Sequence, residues 1–130
     1  MNTSGINQFN EQLRERTMKM ASDVRNHLMS AKISSIDRSI VNQLIRSSSS
    51  VAANYRATTR GRSDAEFYAK ICIVVEETDE TMFWLDYFVR IKVLSEDETN
   101  RLQDEVEQLV RLFSSIKMKM KEKIEKNRNV

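Results

Sequence analysis

Apolar side chains recur at spacings of three, four or seven residues along most of this 130-residue chain, and no proline interrupts the pattern. Residues at these spacings share one face of an α-helix. The chain has only two glycines, so tight hairpins between strands lack the residues that they require. The pattern therefore predicts an all-α fold in which each helix buries one face.

Capping signals divide the apolar pattern into four helices. Ser63 with Glu66 and Ser95 with Glu98 match the S-x-x-E capping box, in which the two side chains satisfy free amides at a helix start. The connections are short, so consecutive helices should be antiparallel neighbours. We predict a single domain over residues 1–130, an up-down-up-down left-handed four-helix bundle. Its helices span approximately 5–30, 35–60, 63–93 and 96–126.

The stretch RSSSSVAANYRATTRGRSD, residues 46–64, has the composition of a linker but keeps a helical period. Small side chains at Ser47–Ser50 and at Ala52 would let another helix approach closely. We therefore place the serines inside helix two. The apolar face continues through this region at Ile36, Ile40, Leu44, Val51 and Tyr55.

The net charge of +2 conceals a strong segregation of charge along the chain. Residues 1–75 carry 11 basic and 6 acidic side chains, residues 76–110 carry 3 and 11, and residues 111–130 carry 7 and 2. Separated fields of opposite sign can bind polyanions, and they can also attract further copies of the same chain. The charge pattern alone favours neither partner.

Patterns typical of catalytic or metal sites are missing from the sequence. The acidic run at residues 76–80 lacks the Glu-x-x-His pairs of dimetal bundles, because His27 is the single histidine. The single cysteine, Cys72, is best interpreted as a small apolar filler. There is no G-x-S-x-G and no glycine-rich phosphate loop. We expect a protein that is not an enzyme and holds no metal or cofactor.

Signals for membrane insertion or export are also missing. No apolar run approaches the roughly 20 residues that cross a bilayer. The polar start MNTSGINQFNEQ lacks the charged-then-apolar order of a secretory signal. We expect a cytoplasmic protein without membrane contact.

Helix three carries a second line of side chains in addition to its core face. Tryptophan and tyrosine are enriched in protein interfaces, and an aromatic strip that the core cannot accept is usually an interaction site. We predict self-association through this line. The alternative is that helix three is the most buried helix, with Trp84 closing one end of the core. The predicted interface consists of Ile73, Glu77, Glu80, Trp84, Tyr87 and Ile91.

Arg56, Arg60 and Arg62 surround the end of helix two and the turn that follows it. Guanidinium groups present a planar fork of donors suited to phosphate oxygens, so these arginines form a candidate nucleic-acid site. The alternative is that they are ordinary surface cations at a helix C-terminus. A rival basic site, or a solvated helix end, lies in the tail at Lys117, Lys119, Lys121, Lys123, Lys126 and Arg128.

The region from Ser50 to Phe88 resembles the four-helix-bundle proteins related to those encoded in intervening sequences of bacterial 23S ribosomal RNA genes. Those proteins typically show S-V-x-A-N-Y-R-E-A at the end of helix two, followed by Ser, Phe and K-x-x-I…E…E-T-x-x-W-L in helix three. This sequence departs at Ala57 and Thr58, where the family usually has Glu and Ala. The matching positions are Ser50, Val51, Ala53, Asn54, Tyr55, Arg56, Ser63, Phe67, Lys70, Ile73, Glu77, Glu80, Thr81, Trp84 and Leu85.

The resemblance implies a left-handed up-and-down bundle that assembles as a ring, commonly a homopentamer, with RNA or DNA as an expected partner. A similar fold serves as the accessory protein of diversity-generating retroelements, where it works with a reverse transcriptase. Two functions are therefore expected. One is an oligomeric nucleic-acid-binding protein, and the other is an oligomeric scaffold for a protein partner.

Overall fold

The computed structural model describes the chain from residue 3 to residue 128. The side chains are described from residue 5 onward. It contains four helices, α1 (Thr3–Met29), α2 (Arg38–Thr58), α3 (Asp64–Arg90) and α4 (Glu96–Arg128), and the described residues form no strand. Consecutive helices are antiparallel: Lys123 of α4 contacts Asp64 at the start of α3, whereas Gln103 contacts Asp86 near its end. The predicted all-α four-helix bundle is confirmed.

One buried cluster joins the four helices. Full burial of a large apolar side chain contributes about 1.5–3 kcal/mol, so this cluster is the main source of the bundle's stability. Most of its members lie on the predicted apolar faces, whereas Phe88 and Leu94 do not. The cluster comprises Leu13, Met20, Val24, Leu28, Val41, Leu44, Val51, Tyr55, Ile71, Val74, Leu85, Phe88, Leu94, Val106, Leu109 and Phe113.

Three apolar side chains at the spacing of the core residues are exposed: Ile6, Phe9 and Ile36. Ile6 and Phe9 are 44% and 45% exposed, because α1 contacts α4 far less than the other neighbouring helices contact each other. Ile36 is 86% exposed, since it lies in the turn that precedes α2. Polar side chains make the contact between α1 and α4 instead. Arg16 donates to both carboxylate oxygens of Glu105, at 2.7 to 3.1 Å.

Contacts at the helix ends determine where α3 begins and ends. Ser63 caps α3 by accepting a hydrogen bond from the Glu66 amide at 3.1 Å. The Glu66 carboxylate accepts from the backbone N–H of Arg62 at 2.7 Å, one residue earlier than in the usual capping box. Helix α3 ends at Arg90, earlier than the predicted limit, because Lys92 takes a left-handed conformation with φ of 64°.

The serine run lies inside α2, as predicted. Ser47 and Ser48 are buried, and the Ser47 hydroxyl lies 3.0 Å from that of Thr81 on α3. The two serine hydroxyls also reach carbonyls of their own helix, so their burial leaves no polar group unpaired. Small side chains at these positions allow α2 and α3 to make the most extensive helix contact in the bundle.

Tyr55 joins the end of α2 to α1 and, across the core, to α4. Its ring lies 5.3 Å from that of Phe113 on α4, and its hydroxyl donates to Asn10 of α1 at 3.2 Å. Burial raises the pKa of Tyr55 to about 12, because the phenolate would lose its hydration, although the charge of Arg14 acts in the opposite direction.

We expect the free energy of unfolding to fall as the pH rises above about 10. Tyrosine in the unfolded chain ionises near pH 10. Above that pH the unfolded state releases a proton that the folded state keeps until about pH 12. The expected loss from Tyr55 reaches about 2 kcal/mol by pH 11.5. Urea unfolding of wild type and Tyr55→Phe between pH 9 and 11.5 measures this loss of unfolding free energy. Equal pH dependence in the two proteins would contradict the assignment.

Candidate functional site

The three predicted arginines are all exposed, and none of them forms an ion pair with a described residue. Arg56 and Arg60 lie four residues apart and line the same groove between α1 and α2, with a volume of about 700 Å³. Arg62 lies in the turn beyond it, where its backbone N–H binds Glu66. The structure therefore brings two of the arginines together and places the third beside the start of α3.

A fourth arginine belongs to the same groove. Arg14 of α1 lines it and donates from one terminal nitrogen to the Thr59 hydroxyl at 3.0 Å. Glu11 and Glu15 are also part of the lining, so the groove itself has mixed charge. Arg14 was not predicted from the sequence, because its position in the groove depends on the register between α1 and α2.

The basic tail lies at the same end of the bundle as the arginines. The ammonium group of Lys123 is 3.4 Å from the carboxylate of Asp64, in the first turn of α3. Glu125 lies near Tyr68, whose pKa is raised by a hydrogen bond with Cys72 and, to a smaller extent, by the Glu125 charge. The last turns of α4 therefore run beside the α2–α3 turn.

We call residues 56–66 together with residues 117–128 the basic end. These two segments contain nine lysines and arginines and four acidic residues. The opposite end of the bundle holds the acidic first turn of α4, which comprises Glu96, Asp97 and Glu98. Acidic residues at the start of α4 and basic residues at its end are each favoured by the helix dipole. Helix α4 is therefore acidic at one end of the bundle and basic at the other, whereas the end that holds its first turn also carries exposed cations such as Arg38 and Lys92.

The outward surface of α3 is apolar and aromatic over much of its length. Ile73 and Tyr87 on α3 and Ile91 directly after it are 37%, 37% and 38% exposed. Phe83 is 55% exposed, and its ring stacks on that of Tyr87 at 6.0 Å. The sequence analysis missed Phe83, because it lies one position away from the predicted line.

The other three residues of the predicted interface make contacts inside the bundle. Trp84 is partly buried against the core, with its ring 5.7 Å from that of Phe88. Its indole N–H is buried and has no hydrogen-bond partner among residues 5–128. Glu77 and Glu80 both form ion pairs with Arg46 of α2, at 3.2 Å for Glu77. The surface that remains available to a partner therefore consists of Ile73, Phe83, Tyr87 and Ile91.

No group of His, Cys, Asp or Glu between residues 3 and 128 has an arrangement suited to a metal ion. None of the four helices, over the same residues, combines the length and apolar character needed to span a bilayer.

This is a small helical-bundle protein with one basic end and an exposed aromatic face. Residues 10–115 match the family described as 23S rRNA-intervening sequence protein, and the chain belongs to that family. The matched range contains Arg56, Arg60 and Arg62 and ends before the lysines of the tail. Among curated proteins, none matches this chain.

A similar solved structure is a protein with unknown function from the S23 ribosomal protein family of Bacteroides thetaiotaomicron VPI-5482, determined as a crystal structure at 1.70 Å resolution. The two superpose with a TM-score of 0.69 at 21% sequence identity. The alignment covers 80% of this chain and 96% of the other. At this identity the likeness shows a shared fold.

Proposed function

We propose that this protein is a non-enzymatic, ring-forming oligomer that binds nucleic acid through its basic end. The observation that carries the proposal is the meeting of two basic segments, the α2–α3 turn and the α4 tail, at one end of the bundle. Arginine and lysine would contact phosphate oxygens rather than base edges. Binding would therefore depend strongly on salt and little on sequence.

Assembly into a ring would repeat the basic end once in every subunit. The exposed aromatic surface of α3 supports self-association, and the family resemblance suggests a pentamer. A strand that touches several subunits gains affinity because each further contact is intramolecular. Basic ends that bind weakly on their own would thus give useful affinity together.

The second candidate is an oligomeric scaffold or accessory protein for a partner enzyme such as a reverse transcriptase. It is favoured by the aromatic surface of α3, since stacked Phe83 and Tyr87 are the kind of exposed pair that protein interfaces use. In that case the basic end would keep the protein soluble or would contact the protein partner.

Purification at low and at high salt separates the two candidates. We expect protein prepared at low salt to carry nucleic acid that leaves at high salt. For six or more phosphate contacts in the assembled ring, affinity for duplex DNA should fall about a thousandfold or more between 50 and 200 mM salt. Fluorescence anisotropy measures this fall. Protein that is free of nucleic acid at low salt and does not bind in the titration would favour the scaffold.

A further inference from the structure

The groove between α1 and α2 has two walls of different chemistry, and the α2 wall is basic. It carries Arg56 and Arg60, which are both exposed. Arg60 lies just beyond the end of α2, but its backbone N–H still binds the Ala57 carbonyl at 3.1 Å. The two arginines therefore stay about one helical turn apart, on one side of the chain. Their unpaired guanidinium groups can contact neighbouring phosphates of one strand.

The α1 wall carries amide and carboxylate side chains instead. Gln8, Glu11, Gln12 and Glu15 are exposed and follow the i, i+3, i+4, i+7 pattern of one helix face. Neither Glu11 nor Glu15 forms an ion pair with a residue between 5 and 128, although two unpaired arginines line the opposite wall. The charged groups of the two walls therefore do not meet across the groove, and the space between them is open to a ligand.

The groove also contains a fixed cation and an apolar part. Arg14 donates to the Thr59 hydroxyl at 3.0 Å, which holds its guanidinium group toward α2. With three arginines and two glutamates in its lining, the groove has a net charge of +1. Met18, which is 54% exposed, and Ala52 line it farther from the basic end, where an apolar surface can rest against the flat side of a base.

Glu11 and Glu15 repel phosphate, so they suit a different part of a nucleotide. An ionised carboxylate has two acceptor oxygens and no donor. Guanine presents two neighbouring donors, N1–H and the N2 amino group, on its Watson–Crick edge, and these match the two oxygens. Uracil presents one donor between two carbonyl oxygens, which repel a carboxylate. A glutamate in this groove therefore distinguishes guanine from uracil.

We infer that the groove binds single-stranded nucleic acid, with phosphates on Arg56 and Arg60 and an unpaired guanine on Glu11 or Glu15. The inference rests on the proposed nucleic-acid binding, and it adds a base preference to an affinity that phosphate contacts dominate. In a duplex the complementary base occupies the Watson–Crick edge, so the preference belongs to unpaired strands.

Fluorescence anisotropy with two short labelled RNAs tests the preference in the wild-type protein. One RNA is oligouridine, and the other has the same length with isolated guanosines in place of some uridines. We expect the strand with guanosine to bind about tenfold more tightly, within the range of one bidentate contact to a base. Inosine lacks the N2 amino group, so replacing guanosine with inosine should reduce the preference. Annealing each strand to its complement should abolish it.

Glu11→Gln combined with Glu15→Gln tests whether the groove is the source of the preference. This variant should bind oligouridine severalfold more tightly, because two charges that repel phosphate are gone. It should also lose most of the preference for guanosine, because an amide has one acceptor oxygen and places a donor opposite a donor. A role limited to repulsion would raise the affinity for both strands alike.

Glu122→Gln combined with Glu125→Gln is the matched control, because these are two exposed carboxylates of the basic end that lie outside the groove. It should raise the affinity for both strands and leave the preference unchanged. Circular dichroism and oligomer mass are recorded for every variant.

Equal binding of the two strands by wild type, or an unchanged preference in the Glu11 and Glu15 variant, would overturn the inference and leave nucleic-acid binding in place. Wild type that binds neither strand would overturn the inference together with the proposed function.

Discussion

Tyr87→Glu is expected to abolish assembly while leaving the bundle folded. Tyr87 is partly exposed and lies among aromatic rings, 6.0 Å from that of Phe83 and 5.8 Å from that of Trp84. A carboxylate there would lose its hydration among the aromatic rings when the interface forms, which costs several kcal/mol. In the separate subunit the same carboxylate stays in water, so helicity should not change.

Light scattering with circular dichroism measures both parts of this prediction. Tyr87→Phe is the conservative control, because it keeps the ring and should keep the mass of the oligomer. A Tyr87→Glu protein with the mass of wild type would show that the exposed aromatic surface of α3 is not the interface. Wild type that is monomeric at micromolar concentration would show the same.

Replacing Arg56, Arg60 and Arg62 together with Ala is expected to weaken nucleic-acid binding strongly. Each lost phosphate contact should flatten the dependence of log affinity on log salt by about 0.7 on single strands and about 0.9 on duplex DNA. Neutralising the lysines beyond Lys117 should have a smaller effect. The tail cations point in several directions around α4, and one of them, Lys123, is paired with Asp64, whereas the three arginines lie near one turn and have no ion-pair partner among residues 5–128.

Anisotropy titrations at several salt concentrations measure this second prediction, with oligomer mass and helicity recorded for every variant. Arg111→Ala is the matched control, because Arg111 is an exposed cation paired with Glu107 on its own helix, away from the basic end. It should change neither affinity nor slope appreciably. If the triple arginine variant binds as tightly as wild type, with the same dependence of log affinity on log salt, the arginines have a structural role.

Local signals in the sequence were enough to predict the helices. Spacing of apolar residues and the capping serines Ser63 and Ser95 act within a few residues, and the structure shows both caps accepting the expected amide bonds. The serine run could be placed inside helix two for the same reason, because it continues the helical period of the neighbouring apolar residues. Local periodicity places Ile6 and Phe9 on the apolar face of α1, but it could not show that α1 and α4 pack loosely and leave both side chains exposed.

The candidate sites were only partly predictable, because they depend on the register between helices. The arginine turn and the lysine tail were treated as rivals, although the predicted up-and-down topology already brings the ends of α2 and α4 to one end of the bundle, as the contact between Lys123 and Asp64 shows. The sequence also placed Glu77 and Glu80 in the interface without their partner, since Arg46 is more than 30 residues away in the chain. Phe83 was missed because its exposure depends on which side of α3 the neighbouring helices cover.

The central claim is that assembly and nucleic-acid binding act together, with repeated basic ends holding one strand. The most direct test is to titrate one labelled single-stranded RNA with wild type and with the Tyr87→Glu protein, at equal subunit concentration and low salt. Tyr87 lies at the end of α3 far from the basic end, so the variant keeps its own cations. The account predicts that wild type binds at least a hundredfold more tightly, because linked sites raise affinity by about 10² to 10⁴. Equal affinity of the two proteins, or no binding by assembled wild type, would contradict it.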